Sequence, residues 1–284
     1  MKHQRISESL AKAEEILGAS GIPDPRREAA SLVMLALEKE KTFLYAHPDY
    51  ELTELETSKL ESLLERRSAR EPLQYISGVQ EFYGLEFEVT PDVLIPRPET
   101  EMVVEHAIDL LRPRASQRFC EIGVGSGCIS ISILHHLSGA TAIGTDVSTS
   151  AIKIARRNSE KRGVDGRFQI IESDVFNNAG DDRFDMIVSN PPYVPSVDIE
   201  GLQPEVRDFE PHVALSDGDD GLSIISRIVD QSPRFLVSGG LLLMEIGFNQ
   251  SPLVVEMFES RIWRVPELFP DLQGIPRLVR SELI

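Results

Sequence analysis

Apolar residues recur at different spacings in three successive parts of the chain. From Ile6 to about Arg70 they recur every three or four residues, which predicts a group of helices. From Phe82 to Val89 apolar and polar residues alternate around Gly84, which predicts a short hairpin. After Arg114 short apolar runs alternate with amphipathic stretches. That alternation predicts a mostly parallel sheet with helices on both faces.

The individual elements follow from these spacings. In the first part, helices are predicted at 6–18, from Asp24-Pro25 onward, and from near Thr53. A further helix is predicted from Pro98 through Leu110. The remaining strands are predicted at 117–122, 141–145, 168–172, 184–189, 239–246 and 277–283, with another at 261–265, and the remaining helices at 127–137, 149–162, 220–232 and 251–259.

Composition and charge narrow the class of protein. The 284 residues are 41% hydrophobic and carry a net charge of −17, which predicts a globular protein and argues against a duplex nucleic acid held by its phosphates. No run approaches the roughly 18 apolar residues of a membrane span, and the first 18 residues lack the apolar core of a signal peptide. We therefore expect a cytoplasmic protein. Cys120 and Cys128 have no metal-ligand spacing, so we expect neither a metal nor a disulfide.

A glycine-rich turn follows the first strand of the predicted sheet. Residues 121–127 read Glu-Ile-Gly-Val-Gly-Ser-Gly, and a helix is predicted to follow. Glycines at such a turn let a ligand approach the backbone, and the helix start offers free N–H donors. Cys128 stands where a dinucleotide fingerprint requires its third glycine, and the motif lacks the lysine of a P-loop. The turn therefore predicts a ligand site of another kind.

Three polar residues end the strands that follow. Asp146, about 20 residues after the glycine turn, stands where a carboxylate accepts hydrogen bonds from ribose hydroxyls. Asp174 and Asn190 end the next two strands. The segment 190–193, Asn-Pro-Pro-Tyr, forms a stiff loop, since its prolines fix two φ angles and remove two donors. Such a loop suits binding of a planar group that bears an NH₂, although alone it could be an ordinary turn.

The glycine turn, Asp146 and the Asn-Pro-Pro-Tyr segment resemble the class I S-adenosylmethionine-dependent methyltransferases that modify amide or exocyclic amine nitrogens. Other segments resemble one family in that class, the protein-glutamine N5-methyltransferases that act on peptide chain release factors (the HemK/PrmC family). They are 72–75 (Pro-Leu-Gln-Tyr), 82–84, 94–101 (Leu-Ile-Pro-Arg-Pro-Glu-Thr-Glu), 210–211 with 214–215, and 220–222. Glu121 stands where that family often has aspartate, and Val175 where it often has an aromatic residue.

The resemblance implies an organisation and a function. The expected domains are a helical domain that binds the substrate protein (1–75), a hairpin linker (76–98) and a Rossmann-like class I methyltransferase domain with a seven-stranded sheet (99–284). The implied reaction moves a methyl group from S-adenosylmethionine to the glutamine of the Gly-Gly-Gln motif of release factors in translation termination. An alternative is a nucleic-acid methyltransferase acting on adenine N6 or cytosine N4, since those groups are also planar and bear an NH₂.

The resemblance also implies roles for individual residues. For the cofactor they are Gly123, Val124, Gly125, Ser126 and Gly127 against its methionine part, Asp146 at the ribose, Asp174 and Val175 at the adenine with Phe176 as an alternative to Val175, and Asn190. For the substrate amide they are Asn190 and the Pro191 carbonyl as acceptors and Tyr193 over its plane, with Pro192 and Arg97 lining its pocket. For Arg97 a structural ion pair is the other interpretation, and for Glu245 the cleft wall and a buried, hydrogen-bonded carboxylate both remain open.

Overall fold

The structure, a computed structural model, describes residues 4–284 and divides them into two units. The first predicted domain includes Met1 to His3, which lie outside the described residues. One unit is helical, runs to Gly78 and includes the separate segment Gln203–Phe209. The other comprises Val79–Leu202 and Glu210–Ile284 and contains the sheet. Among residues 4–284, no helix has both the length and the apolar character that crossing a membrane requires.

The helical unit begins and ends its helices where the sequence supplies caps. The Asp24 side chain accepts from the N–H of Arg27, and Pro25 follows at the first helical position. Thr53 and Glu56 form a reciprocal capping box at the start of the longest helix. The helices are α1 (Ile6–Ala19), α2 (Pro25–Leu37), α3 (Lys41–Ala46), α4 (Glu54–Ser68) and α5 (Leu73–Ser77). The six-residue α3 was not predicted, because it is too short for a helical period to stand out.

An ion-pair network around the buried Arg67 side chain holds the segment Gln203–Phe209 in the helical unit. The Arg67 side chain is only 4% exposed and pairs with Glu28 at 2.5 Å and with Glu205 at 3.0 Å. Arg70 contacts the other oxygen of Glu205 at 2.7 Å. Removing one partner of a buried pair strands the other charge and costs about 3–5 kcal/mol. Glu205 therefore fixes a segment that lies far away along the chain.

The second unit starts with a hairpin and continues as alternating strands and helices. The hairpin, β1 (Val79–Phe82) and β2 (Leu85–Glu88), falls within the segment that the sequence assigns to a linker. The elements that follow are α6 (Glu101–Leu111), β3 (Arg118–Ile122), α7 (Cys128–His136), β4 (Thr141–Asp146), α8 (Thr149–Arg162), β5 (Phe168–Glu172), β6 (Phe184–Ser189), α9 (Pro204–Phe209, in the helical unit), α10 (His212–Leu215), α11 (Ser223–Gln231), β7 (Leu236–Glu245), α12 (Ser251–Glu256), β8 (Glu267–Pro270) and β9 (Pro276–Glu282).

The predicted seven-stranded, mostly parallel sheet is confirmed. Its strand order is β5-β4-β3-β6-β7-β9-β8; the pairs from β5 to β7 are parallel, and β9 is antiparallel to both of its neighbours, β7 and β8. Buried apolar side chains pack in clusters against the sheet. The strand predicted at 261–265 is wrong: Trp263 makes an isolated bridge to Leu283, and the paired strand is β8.

The register of the three middle strands places the predicted site at one edge. Ile122, at the end of β3, pairs with Thr145 of β4 on one side and with Ser189 of β6 on the other. Because the three strands are parallel, the loops that follow them leave from the same edge of the sheet. The glycine turn, Asp146 and Asn190 are the residues that follow or end these strands.

Replacing Gly144 by alanine tests how tightly β4 packs beneath the glycine turn. A Cβ at Gly144 would lie 2.4 Å from Cγ2 of Val124 and 2.8 Å from the ring of Phe168. We expect Gly144→Ala to lower the free energy of unfolding in urea by about 1–3 kcal/mol. Gly166, around which no atom lies within 4 Å of the added Cβ, is the matched control. Gly166→Ala should stay within about 0.5 kcal/mol of the parent, and equal effects at the two positions would contradict the packing argument.

Candidate active site

A cleft of about 330 Å³ lies at the carboxyl edge of the sheet, within the second unit. Most of the predicted site residues line it: Arg97, Gly123, Val124, Gly125, Ser126, Asp146, Asp174, Val175, Asn190 and Pro192. Gly127, Pro191 and Tyr193 do not. Among the described residues, no group of three histidine, cysteine or acidic side chains could hold a metal ion.

The glycine turn presents open backbone to the cleft. Gly125 has a φ of 55° and no atom within 4 Å of where its Cβ would be, so the space beside it is free for a ligand. Gly123 has a φ of 76°, and its Cβ position lies 3.9 Å from the carbonyl oxygen of Asn190. Gly127 packs instead, since a Cβ there would lie 2.8 Å from Cδ1 of Ile131. The first two glycines therefore serve the cleft and the third serves the start of α7.

Asp146 is fixed by backbone donors on both of its oxygens. Oδ2 accepts from the N–H of Gly125 and Oδ1 from the N–H of Ser148, each at 2.8 Å. Burial raises the pKa of Asp146, and these hydrogen bonds oppose that shift. Each oxygen keeps a lone pair for a hydroxyl donor. The carboxylate is thus oriented to bind a diol at the end of β4.

Asp174, Val175 and Phe176 are neighbours in the chain, but their side chains have different surroundings. Asp174 lines the cleft and pairs with Arg227 at 2.7 Å. Val175 is buried, lines the cleft and has a φ of 52°, so the backbone turns sharply at this point. Phe176 stacks on Phe235 with ring centroids 4.4 Å apart, inside the core. Of the two candidates for an adenine contact, the structure therefore brings Val175 to the cleft and not Phe176.

The Asn-Pro-Pro-Tyr loop is held by side chains from distant elements. The Asn190 amide donates to Oγ1 of Thr100 at 3.0 Å. The Tyr193 hydroxyl donates to Oε1 of Glu245 at 3.0 Å, and the Tyr193 carbonyl accepts from Nε2 of Gln250 at 2.9 Å. Burial raises the pKa of Glu245, whereas its hydrogen bonds from Thr100 and Tyr193 lower it. These hydrogen bonds anchor Tyr193 at its hydroxyl and its carbonyl, and the place of its ring over the substrate amide stays a prediction.

Arg97 combines the two roles that the sequence left open. It lines the cleft, and its Nη2 lies 2.5 Å from Oε1 of Glu210. The other oxygen of Glu210 accepts from the N–H of Ile95 at 3.1 Å, and the Glu210 side chain is 1% exposed. The ion pair thus fixes the loop that carries Arg97. Glu245 is likewise a buried, hydrogen-bonded carboxylate, one of its two predicted interpretations.

Sequence reasoning missed Thr100 and Gln250. Thr100 belongs to the segment 94–101 that resembles the family, but the sequence assigns no role to the residue itself, and Gln250 follows the last central strand in a polar turn. Their partners, Asn190 and Tyr193, are 90 and 57 positions away along the chain. No local pattern reports contacts over such separations.

Comparison with family models and curated proteins places the chain among known sequences. Residues 8–78 match the model of the PrmC N-terminal domain, and residues 100–201 match that of the methyltransferase small domain. The chain is 43% identical to the release factor glutamine methyltransferase of Geobacter sulfurreducens over 94% of this chain and 93% of that protein. It is 38% identical to the protein of the same name from Koribacter versatilis, over 96% of this chain and 97% of that one.

Solved structures share the fold at low identity. The human METTL16 catalytic domain, solved in complex with an RNA hairpin, is 17% identical with a TM-score of 0.58, over 76% of this chain and 81% of that one. The Thermus thermophilus 16S rRNA N2 G1207 methyltransferase, solved with S-adenosylmethionine and guanosine, is 18% identical with a TM-score of 0.52, over 72% of this chain and 49% of that one. These likenesses support the class I methyltransferase fold.

Glu121 predicts a pH dependence of stability. Its side chain is buried and lines the cleft. Burial raises its pKa to about 8, although the hydrogen bond that it accepts from the N–H of Ser130 lowers the pKa. Between about pH 5 and 8 the folded protein keeps a proton that the unfolded chain has lost, so stability falls as pH rises. Glu121→Gln has no such proton. The free energy of unfolding of the variant minus that of the parent, measured in urea, should therefore rise from about pH 5 to 8. A difference that does not change with pH would contradict the raised pKa.

Asp146→Asn tests the ribose assignment. The added NH₂ must face the N–H of Gly125 or of Ser148, and the charge that attracts hydroxyl donors is lost. We expect calorimetry to show at least tenfold weaker binding of S-adenosylmethionine, about 1.4 kcal/mol. Asp165→Asn, on an exposed turn outside the cleft, is the matched control and should bind like the parent. Parent-like affinity in Asp146→Asn would remove this residue from the cofactor site.

Proposed function

Because the chain belongs to the release factor glutamine methyltransferase family, we propose that it methylates the side-chain amide nitrogen (N5) of the glutamine in the Gly-Gly-Gln motif of peptide chain release factors. The methyl donor is S-adenosylmethionine. One observation carries the proposal for these residues: the glycine turn and Asn190 follow adjacent parallel strands, and the Cβ position of Gly123 lies 3.9 Å from the Asn190 carbonyl oxygen. The proposed sites for the methyl donor and for the amide that receives the methyl group are thus adjacent.

The residues at the cleft fit this cofactor. The open backbone at Gly123 and Gly125 would hold its methionine part, Asp146 its ribose, and Asp174 with Val175 its adenine. When bound, S-adenosylmethionine supplies a methyl group already activated by its positively charged sulfur. The protein therefore needs neither a nucleophile nor a metal for activation.

The task of the protein is to prepare the acceptor. An amide nitrogen shares its lone pair with the carbonyl and is a poor nucleophile. We propose that Oδ1 of Asn190 and the Pro191 carbonyl accept hydrogen bonds from the two N–H groups of the amide. These bonds orient the nitrogen and increase its electron density as the new C–N bond forms. The nitrogen gains the methyl group as the bond between that methyl and the donor sulfur breaks, which leaves the sulfur neutral, and the nitrogen then releases one proton to solvent. Pro192 and Arg97, which line the cleft, would border the entering side chain.

The helical unit is proposed to bind the body of the release factor. It has its own apolar core and matches the PrmC N-terminal domain, while Tyr45 and Leu55 remain 69% and 79% exposed. The net charge of −17 suits a basic protein partner through electrostatic steering. It disfavours direct binding of nucleic acid, and we propose neither a nucleic-acid nor a membrane partner. The cytoplasm is the proposed location.

The alternative acceptor is an exocyclic amine of adenine or cytosine. Its planar NH₂ would present the same two hydrogens to Asn190 and Pro191, so the loop alone does not separate the two substrates. The match to release factor glutamine methyltransferases over nearly the whole chain favours the glutamine.

Transfer of labelled methyl groups separates the proposed function from its alternative. The acceptors are purified release factor, its variant with alanine at the Gly-Gly-Gln glutamine, a Gly-Gly-Gln peptide, and DNA. Label is expected on the release factor and the peptide and on neither of the others. The peptide should show a higher KM than the whole factor, because it lacks the surface for the helical unit. Label on DNA and not on the release factor would overturn the proposal.

Asn190→Ala tests the acceptor role. Loss of the side-chain oxygen should lower kcat by at least about a hundredfold, since a positioned polar group of this kind is worth two to three powers of ten. Binding of S-adenosylmethionine, measured by calorimetry, should survive. Asn177→Ala, an exposed position outside the cleft, controls for the substitution. Full turnover in Asn190→Ala would exclude Asn190 as the acceptor.

A further inference from the structure

A short chain of hydrogen bonds runs from Asn190 into the buried interior. Nδ2 of Asn190 donates to Oγ1 of Thr100 at 3.0 Å, and the Thr100 hydroxyl donates to Oε2 of Glu245 at 2.7 Å. Tyr193 donates to the second oxygen of Glu245 at 3.0 Å. Thr100 and Glu245 are each only 2% exposed. Three separate elements thus meet at one carboxylate: the turn before α6, the end of β7, and the loop after β6.

The inventory of donors and acceptors fixes the direction of this chain. The ionised form of Glu245 can only accept, so it takes one hydrogen from each of the two hydroxyls, and these two hydrogen bonds favour that form against the effect of burial on its pKa. Thr100 has a single hydrogen, and Glu245 takes it. The oxygen of Thr100 can therefore only accept from Asn190, which must turn its NH₂ toward Thr100. With Glu245 ionised, the network itself therefore assigns the oxygen and the nitrogen of the Asn190 amide.

The opposite end of the amide faces the substrate side. Asn190 lines the cleft, and its Oδ1 has no hydrogen-bond partner among residues 4–284. Turned by 180°, the amide would present an NH₂ to the NH₂ of the substrate, and two donors would meet. The orientation of one amide therefore decides whether the loop can bind an acceptor nitrogen.

We propose that Thr100 and Glu245 are positioning residues, which hold the Asn190 amide with its oxygen toward the substrate nitrogen. The inference deepens the proposed function and rests on Asn190 acting as an acceptor. Neither residue touches the substrate in this role, and both act through Asn190. A buried charge is costly, and apolar residues of similar volume often stabilise a fold as well or better. The function of the loop therefore explains Glu245 better than stability does.

Three substitutions separate the hydrogen bonds from the shape of the site. Thr100→Val keeps the shape and removes both hydrogen bonds, whereas Thr100→Ser keeps both. In Glu245→Gln the new amide can donate to Thr100, whose hydrogen is then free to point at Oδ1 of a turned Asn190. Thr141→Val, at the exposed start of β4 and outside the cleft, is the matched control.

Kinetics and calorimetry provide the first measurement. Thr100→Val and Glu245→Gln should lower kcat on release factor about tenfold or more, as expected for a misplaced reacting group, with unchanged affinity for S-adenosylmethionine. Thr100→Ser and Thr141→Val should keep the parental kcat. Parental kcat in Thr100→Val would overturn the proposal. So would an equal loss in Thr100→Ser, or a loss of cofactor affinity that accompanies the loss of kcat.

A spectroscopic measurement tests the orientation without any turnover. In protein labelled with ¹⁵N at asparagine, the side-chain NH₂ signal of Asn190 is assigned by its disappearance in Asn190→Ala. Hydrogen exchange of that NH₂ should be slow in the parent and in Thr100→Ser, and fast in Thr100→Val. Equal exchange in all three would overturn the proposal. Because this readout needs no substrate, a failure of the proposed function would leave it intact and would be seen separately in the methyl-transfer assay.

Discussion

The parallel pairing of β3 with β4 on one side and β6 on the other is the constraint on which the site depends. Ile122 pairs with both Thr145 and Ser189, so the three strands end at the same level. The pairing of the strands therefore brings the glycine turn, Asp146 and Asn190 together at one edge of the sheet. Packing reinforces this arrangement, because Gly144 leaves room for Val124 of the glycine turn. The chemistry of the cleft is therefore a consequence of strand register.

Buried carboxylates are the second feature of the cleft. Burial raises the pKa values of Glu121, Asp146 and Glu245, and each receives hydrogen bonds that oppose the shift. Burying an acid in this way costs stability that apolar side chains would not cost. Of the three, Glu121 and Asp146 line the cleft, whereas Glu245 lies outside its lining and accepts hydrogen bonds from Thr100 and Tyr193.

Local pattern was sufficient to predict the central elements and insufficient for contacts across the fold. Periodicity predicted β5 and β6 with the bounds that the structure has, because each is a short apolar run between turn residues. It failed at 261–265, where Trp263 supplies the apolar character without ladder partners beyond a single bridge. The rule that ligands bind at the carboxyl ends of parallel strands predicted the positions of Asp146 and Asn190 at the cleft. It gave no signal for Thr100 or Gln250. Their roles exist only once β6, β7 and the start of α6 have packed together.

Tyr193 shows what the structure adds to a motif. The sequence predicts that its ring lies over the substrate, and the structure adds that its hydroxyl binds Glu245, the same carboxylate that receives the hydrogen of Thr100. The first and last residues of the Asn-Pro-Pro-Tyr loop are therefore tied to one buried group, one directly and one through Thr100. Between them stand two prolines, which add stiffness and no competing donors. The acceptor site that we propose would thus be oriented before any substrate arrives, and such preorganisation is what a weakly nucleophilic nitrogen requires.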